Sequence, residues 1–222
     1  MRTKLIDRIL PPYSKGEELF NMISHIVGAS LGILALIFCL IKSIIHGDVW
    51  SVVASCIYGI SMITLYCMSS IYHGLRPCMG KKVFQVLDHC AIYIMIAGCY
   101  TPIALVALRP VYPTLSLIVM LLVWGLTVLC VTLTAIDLKK YRIFSQACYI
   151  IMGWCVLGFM KQATEVLGAN GITFLLIGGI CYTVGAILYS IGSKKTYMHC
   201  VFHIFCLLGS IFQFFAIYYY AL

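Results

Sequence analysis

Long apolar runs separated by short polar connections occupy most of the chain. A membrane-spanning helix needs about 20 mostly apolar residues, and seven runs meet this need. They lie at about 22–43, 49–72, 84–107, 113–136, 143–162, 171–192 and 198–221. Because lipid offers the backbone no hydrogen-bond partner, each run is predicted to be a helix. The pattern therefore predicts an all-α, integral membrane seven-helix bundle over residues 21–222, preceded by a polar N-terminal tail, residues 1–20.

Composition places the chain among membrane proteins rather than soluble ones. Of its 222 residues, 63% are hydrophobic and only 10% are charged, whereas a soluble domain carries roughly 25% charged residues. The net charge is +8, but the basic residues form short clusters between the apolar runs. That placement indicates topology signals and lipid-headgroup contacts rather than a nucleic-acid surface. The expected partners are membrane lipids, and the sequence gives no oligomeric state.

The basic residues are distributed unevenly between alternate connections. Only Lys42, Arg109 and Lys161 lie in the first, third and fifth connections. The other twelve lie in the N-terminal tail and the even connections: Arg2, Lys4, Arg8, Lys15, Arg76, Lys81, Lys82, Lys139, Lys140, Arg142, Lys194 and Lys195. Because positive residues are retained on the cytoplasmic side, the N-terminus is predicted to be cytoplasmic and the C-terminus outside.

Four ionisable residues at the ends of apolar spans form a candidate functional site. His73 ends the second span, Asp88 lies near the start of the third, and His199 and His203 lie at the start of the seventh. The predicted topology places all four at the cytoplasmic face, and ionisable residues within membrane spans usually mark functional sites. His199 and His203 are four residues apart, so they share one helical face about 6 Å apart along the axis.

Three imidazoles at one depth predict a zinc site. Neutral histidine suits Zn²⁺ better than Mg²⁺ or Ca²⁺, which prefer oxygen ligands. Three histidines with an open fourth position are typical of a catalytic zinc site, where the ion lowers the pKa of a water to about 7. Asp88 would then act as a general base or orient a ligand. The alternative is that the histidines only hydrogen-bond neighbouring helices near the headgroups.

Further polar residues are expected around this site. Ser69 precedes His73 by one turn, so it would hydrogen-bond a reacting oxygen or the water, or instead its own helix backbone. Another polar set begins the first span and is predicted to form a wall or second ligand shell at the same depth: Glu18, Asn21, Ser24 and His25. Within that set, His25 is also a candidate fourth ligand.

The ordered motifs resemble those of a known family. Glu18-x-x-Asn21-x-x-Ser24-His25, Ser69-x-x-x-His73, Asp88 and His199-x-x-x-His203 stand in a seven-span frame that resembles the hemolysin III family of the progestin and adipoQ receptor superfamily. The resemblance extends from about Glu17 to Phe215. It implies seven helices, a cytoplasmic N-terminus and an intramembrane zinc held by His73, His199 and His203, with Asp88 holding a water and Ser69 beside it. The short tail resembles bacterial members, which implies a multi-pass protein of the bacterial inner membrane.

The resemblance also implies three competing activities. Ceramidases in the wider group suggest hydrolysis of a lipid amide or ester at the inner leaflet. The alternatives are a non-enzymatic protein of membrane-lipid homeostasis with a structural zinc, and the pore formation or cytolysis that the family name implies. The chain departs from the family at Cys200, where bacterial members often have Glu. Residue 200 points about 100° away from His199, so metal binding should survive, whereas any role of that carboxylate would not.

Overall fold

The computed structural model describes residues 3–192 and 195–222, and these residues contain helices and turns but no β-strand. An all-α fold is therefore confirmed for this part of the chain. Its principal helices are α1 (Lys15–His46), α2 (Val49–Gly74), α3 (Met79–Pro102), α4 (Pro113–Ile136), α5 (Arg142–Gly153), α6 (Met160–Gly192) and α7 (Met198–Ala216). Shorter helical turns lie at Leu5–Asp7, Ile103–Leu108, Cys155–Phe159 and Ile217–Ala221.

Six segments of the described residues are long and apolar enough to cross a membrane. One of them, Arg142–Ser190, contains 49 residues and includes both the fifth and the sixth predicted spans. The indole nitrogen of Trp154 nevertheless donates to the Thr183 hydroxyl at 2.9 Å, although the two residues would lie about 43 Å apart in a continuous helix. The chain therefore reverses between them, and Gly168, with φ of 69°, supplies the non-helical backbone inside α6.

The fifth predicted span, 143–162, is not one continuous α-helix. Helix α5 ends at Gly153, and a 3₁₀ turn joins it to α6. Tyr100 supports this break from α3, because its hydroxyl donates to the Gly153 carbonyl at 2.8 Å and accepts from the Val156 N–H at 3.1 Å. Backbone groups that leave a helix inside a membrane need such partners, and one buried tyrosine supplies both.

Helix α3 changes its backbone pattern at Pro102. The α-helical pattern of α3 ends there, and the chain continues as a π-helical stretch over Ile103–Leu108. Proline has no N–H to donate to the preceding turn, and π-helical turns, although rare, occur as local interruptions within α-helices. The Ser116 hydroxyl of α4 donates to the Ala104 carbonyl at 2.7 Å within this stretch.

One end of the bundle gathers the first turns of α1, α3 and α7 with the last turn of α2. Helix α1 begins at Lys15, before the first predicted span and inside the predicted tail. A capping box explains the early start, because Ser14 and Glu17 bond each other's backbone N–H groups. The preceding residues cross this end of the bundle, where the Thr3 N–H donates to Asp137 at 2.7 Å. Arg2 and Lys194, two of the predicted topology residues, lie outside the described part of the chain.

Candidate metal centre

Three histidines from α2 and α7 converge at this end of the bundle. The Nε2 atom of His199 lies 3.2 Å from Nε2 of His73 and 3.0 Å from Nε2 of His203. One ligand atom from each residue falls within 4.8 Å of the other two. His73 and His203 are almost fully buried, and His199 is half-buried. The one-turn spacing in α7 thus brings its two imidazoles to the imidazole that ends α2.

Hydrogen bonds at Nδ1 of His73 and of His203 place the lone pair of each ring on its Nε2 atom. Nδ1 of His73 lies 2.6 Å from the Glu18 carboxylate, which only accepts, so in the neutral ring Nδ1 carries the proton. The Ser24 hydroxyl donates to the Asn21 carbonyl at 3.0 Å, which leaves its oxygen to accept from His203 Nδ1 at 3.4 Å. Both Nε2 lone pairs therefore face the centre of the cluster.

This arrangement fits a zinc ion. Two nitrogens bound at 2.0–2.1 Å to one tetrahedral zinc are about 3.3 Å apart, close to the observed 3.2 and 3.0 Å. Without a cation, the single proton of a neutral His199 ring can be shared with only one of the two facing lone pairs. A divalent ion would satisfy all three nitrogens together, and an all-nitrogen donor set does not suit Mg²⁺ or Ca²⁺.

Glu18 and Lys81 form a charged pair behind the His73 ligand. The second carboxylate oxygen of Glu18 accepts from Lys81 Nζ at 2.6 Å, and the same Nζ donates to the Leu75 carbonyl at 2.9 Å. Lys81 is almost completely buried, which is rare for an unpaired lysine. A carboxylate hydrogen-bonded to a ligand histidine orients the ring and increases its basicity, so Glu18 has the position of such a partner.

A second acidic residue positions the start of α7. The Glu17 carboxylate accepts from the backbone N–H of Tyr197 at 2.7 Å and from that of Ser14 at 2.8 Å. Tyr197 has φ of 63°, a left-handed conformation unusual for a bulky residue, and it precedes His199 by two residues. Cys200 is buried in the same contact, with its Sγ 3.9 Å from the Glu17 carbonyl. In this chain residue 200 therefore belongs to the packing between α1 and α7.

Aromatic rings surround His199. Tyr13, in the segment before α1, stacks on it with centroids 4.9 Å apart, and Tyr189 and Phe202 lie at 5.3 and 5.5 Å. Burial raises the pKa of Tyr13, and the nearby Tyr189 raises it further, so its hydroxyl stays protonated. An apolar shell of this kind limits water access and lowers the local dielectric constant at a metal site.

The polar residues of α1 lie against the same cluster. Asn21, Ser24 and His25 follow Glu18 along one side of the helix, and Ser24 reaches His203 as described above. The His25 ring stacks on His203, with centroids 3.7 Å apart and planes inclined by only 12°. Ligand lone pairs lie in the ring plane, so two parallel stacked rings cannot both bind one ion at 2.0–2.1 Å. In this arrangement, the possible fourth ligand role of His25 is not supported.

A cavity of about 400 Å³ opens beside the cluster. Ser69 and Asp88 line it near His199 and His203, and Ser69 lies close enough to Asp88 to interact with its carboxylate. Most of the remaining lining is apolar and comes from α3, α5, α6 and α7. Along α3 it continues from Asp88 to Ile103, a distance of about 22 Å at 1.5 Å per residue.

Three site residues are absent from the site predicted from the sequence. In the sequence, Lys81 resembles an ordinary topology residue, Glu17 is the neighbour of the predicted Glu18, and Tyr13 lies in the tail outside every predicted span. Glu17 carried a usable signal, because Ser14 followed three residues later by Glu predicts a capping box. Nothing local in the sequence marks Lys81 or Tyr13, because both reach the site through packing between distant segments.

The chain is similar to known proteins over most of its length. A model of the family described as haemolysin-III related matches residues 13–214. The chain belongs to the haemolysin-III-related family. It is 38% identical to "Hemolysin-3" of Bacillus cereus over 206 residues, covering 93% of this chain and 92% of that protein. It is 35% identical to "Hemolysin-3 homolog" of Bacillus subtilis (strain 168) over 204 residues, covering 92% and 94%.

Family membership confirms the resemblance drawn from the motifs. The haemolysin-III-related match begins at Tyr13 and ends beyond His203, so it includes the whole site. Together with the six apolar segments found among the described residues, it makes the chain a multi-pass membrane protein, consistent with the bacterial inner membrane.

Proposed function

We propose that this protein is a zinc-dependent hydrolase of a lipid amide or ester, built as seven membrane-crossing helices with a cytoplasmic N-terminus and an external C-terminus. The reversal at Gly168 supports seven crossings, because it divides Arg142–Ser190 into two antiparallel parts. That segment measures about 74 Å in total, more than twice the hydrocarbon thickness of about 30 Å. The twelve-to-three distribution of basic residues supports the orientation.

The observation that carries the hydrolase proposal is the junction of the three-histidine cluster with the cavity. The volume of about 400 Å³ lies within the usual range for ligand pockets, about 300–1,000 Å³. Its length along α3 of about 22 Å exceeds the depth of one leaflet's hydrocarbon, about 15 Å. The apolar lining therefore suits an acyl chain, whose polar end would lie beside the histidines.

The residues at that junction have separate chemical roles. His73, His199 and His203 would hold the zinc, which when bound lowers the pKa of a water to about 7. Asp88 would accept a proton from the attacking water as general base, and the neighbouring Ser69 hydroxyl would donate a hydrogen bond to the carbonyl oxygen of the substrate. Glu18 keeps His73 in the tautomer that presents Nε2, and the Tyr13 ring limits entry of bulk water.

The test combines metal analysis with lipid turnover by the purified full-length protein. His203→Ala is expected to abolish zinc binding and turnover together. Asp88→Asn is expected to keep zinc but to lose turnover by about a hundredfold or more, since general bases contribute roughly 10²–10⁴. Ser30, exposed on α1 and bonded only to its own helix, supplies the control variant Ser30→Ala, which should retain both properties. Full turnover by zinc-free protein would refute the proposal.

The names of the two relatives favour pore formation as a second candidate. Leakage of a dye from liposomes distinguishes it, because a pore does not depend on Asp88 as a base. Leakage by wild type and Asp88→Asn alike, without consumption of lipid, would favour the pore. Unchanged liposomes with consumed lipid would favour the hydrolase.

A further inference from the structure

Two polar side chains on α1 are buried beside the histidine cluster, and their polar atoms have no hydrogen-bond partner among the described residues. Asn21 is 0% exposed, and neither its amide nitrogen nor its amide oxygen has a hydrogen-bond partner. His25 is 5% exposed, and both of its ring nitrogens also lack partners. Buried polar atoms are nearly always hydrogen-bonded, and leaving them unpaired is costly. Four such atoms on neighbouring turns therefore indicate that something polar binds there.

The ring contacts of His25 exclude a role for this residue as a zinc ligand. Because the His25 ring stacks in parallel on the His203 ring, His25 cannot bind the same zinc ion as His203. An edge contact with the Tyr66 ring, with centroids 5.0 Å apart, occupies another side of His25. The ring nevertheless lines the cavity together with Ser69 and Asp88. His25 is thus packed between two aromatic neighbours, and its ring borders the space where a ligand would lie.

We propose that Asn21 and His25 form a polar subsite that binds a hydroxyl group of a lipid lying in the cavity. The two residues are four apart, so they face one side of α1 about 6 Å apart along the axis. In this subsite one ring nitrogen of His25 bonds the lipid hydroxyl, and the Asn21 amide one turn away supplies a further donor and acceptor.

The chemistry of the subsite selects a neutral hydroxyl. A neutral imidazole has one donor and one acceptor, and an amide has both as well. A hydroxyl, which also donates and accepts, matches either nitrogen of His25. The inference rests on the proposed function only in taking a lipid amide as the ligand.

The test compares two lipids that differ only in this hydroxyl: N-oleoylethanolamine and its O-methyl ether. Binding is measured calorimetrically with the zinc-loaded full-length protein carrying Asp88→Asn, in which cleavage of the lipid is expected to be at least about a hundredfold slower. The hydroxyl lipid is expected to bind about tenfold more tightly than the ether, the effect of one buried hydrogen bond with a desolvated partner. Equal affinities would show that the subsite holds water only and would overturn the proposal.

Two further variants locate the preference. His25→Phe keeps the stacking on His203 and the contact with Tyr66 but removes both nitrogens. It should lose the preference while retaining zinc and affinity for the ether. Asn21→Leu, similar in volume, should reduce the preference without loss of thermal stability, because the atoms it removes have no protein partner. A preference that survives in both variants would assign the hydroxyl contact elsewhere. If wild type fails to cleave any lipid, the hydrolase proposal fails, whereas these binding results decide the subsite independently.

Discussion

Replacement of Glu18 by Gln tests whether the residues behind His73 control the metal. The carboxylate lies 2.6 Å from both His73 Nδ1 and Lys81 Nζ. Outer carboxylate partners of ligand histidines typically contribute about 10–100-fold in metal affinity, which corresponds to about 1.4–2.8 kcal/mol. Separately, leaving the buried Lys81 unpaired costs about 3–5 kcal/mol of stability. Because the Glu18 side chain is 21% exposed, we expect the lower end of that range.

A second substitution separates these two effects. The double variant Glu18→Gln with Lys81→Met removes both charges, so most of the stability should return while zinc affinity stays low. Zinc affinity is measured by competition with a chelating dye, and stability by thermal unfolding followed through tryptophan fluorescence. Glu165→Gln is the matched control, since Glu165 is an exposed carboxylate bonded to Tyr112 at 2.6 Å. Zinc affinity within twofold of wild type in Glu18→Gln would refute the role assigned to Glu18.

Three other predictions follow from the packing, the tail and the metal. A Cβ on Gly28 would lie 2.7 Å from atoms of the buried Tyr66 ring, so Gly28→Ala should destabilise the protein by about 1–3 kcal/mol, measured by thermal unfolding. The control is Gly125→Ala, which should be neutral or slightly stabilising because a Cβ there meets open space. The Thr3 N–H holds the pKa of Asp137 below its usual value. The ionised Asp137 therefore stabilises the protein above the unfolded-state pKa of about 3.9, and this stabilisation is lost as the pH falls below that value. Asp137→Asn should accordingly flatten the decline of the thermal midpoint between pH 5 and 2. Removal of zinc by a chelator should leave amide-exchange protection at the start of α7 largely unchanged, and full loss of that protection would contradict this.

The sequence predicted those features that depend on local spacing and on the alternating direction of successive spans. His199 and His203 are brought together by one helical turn, and alternating connections place the end of α2 beside the start of α7. Both features can be read from the residue numbers, so His73 could be assigned to the same membrane depth as His199 and His203. The fold class likewise follows from the lengths of the apolar runs.

The features that could not be predicted depend on contacts between distant segments. The break after Gly153 is stable because Tyr100 supplies a donor and an acceptor from another helix. Lys81 can be buried because its ammonium group donates hydrogen bonds to the Glu18 carboxylate and to the Leu75 carbonyl. A hydropathy pattern shows where a helix can exist in lipid, but not which irregular backbone a neighbouring side chain can satisfy.

The hydrogen bonds of α1 favour a chemical role for the metal over a structural one. A structural zinc would be needed mainly to join α2 to α7, the two helices that carry its ligands. Helix α1 already contacts both at this end, since Glu18 bonds His73 and Glu17 bonds the Tyr197 N–H. Farther into the bundle, Tyr66 of α2 bonds the Ser210 hydroxyl of α7 at 2.6 Å. Because these contacts need no ion, the convergence of three lone pairs beside a cavity lined by Asp88 is better explained by reactivity than by assembly.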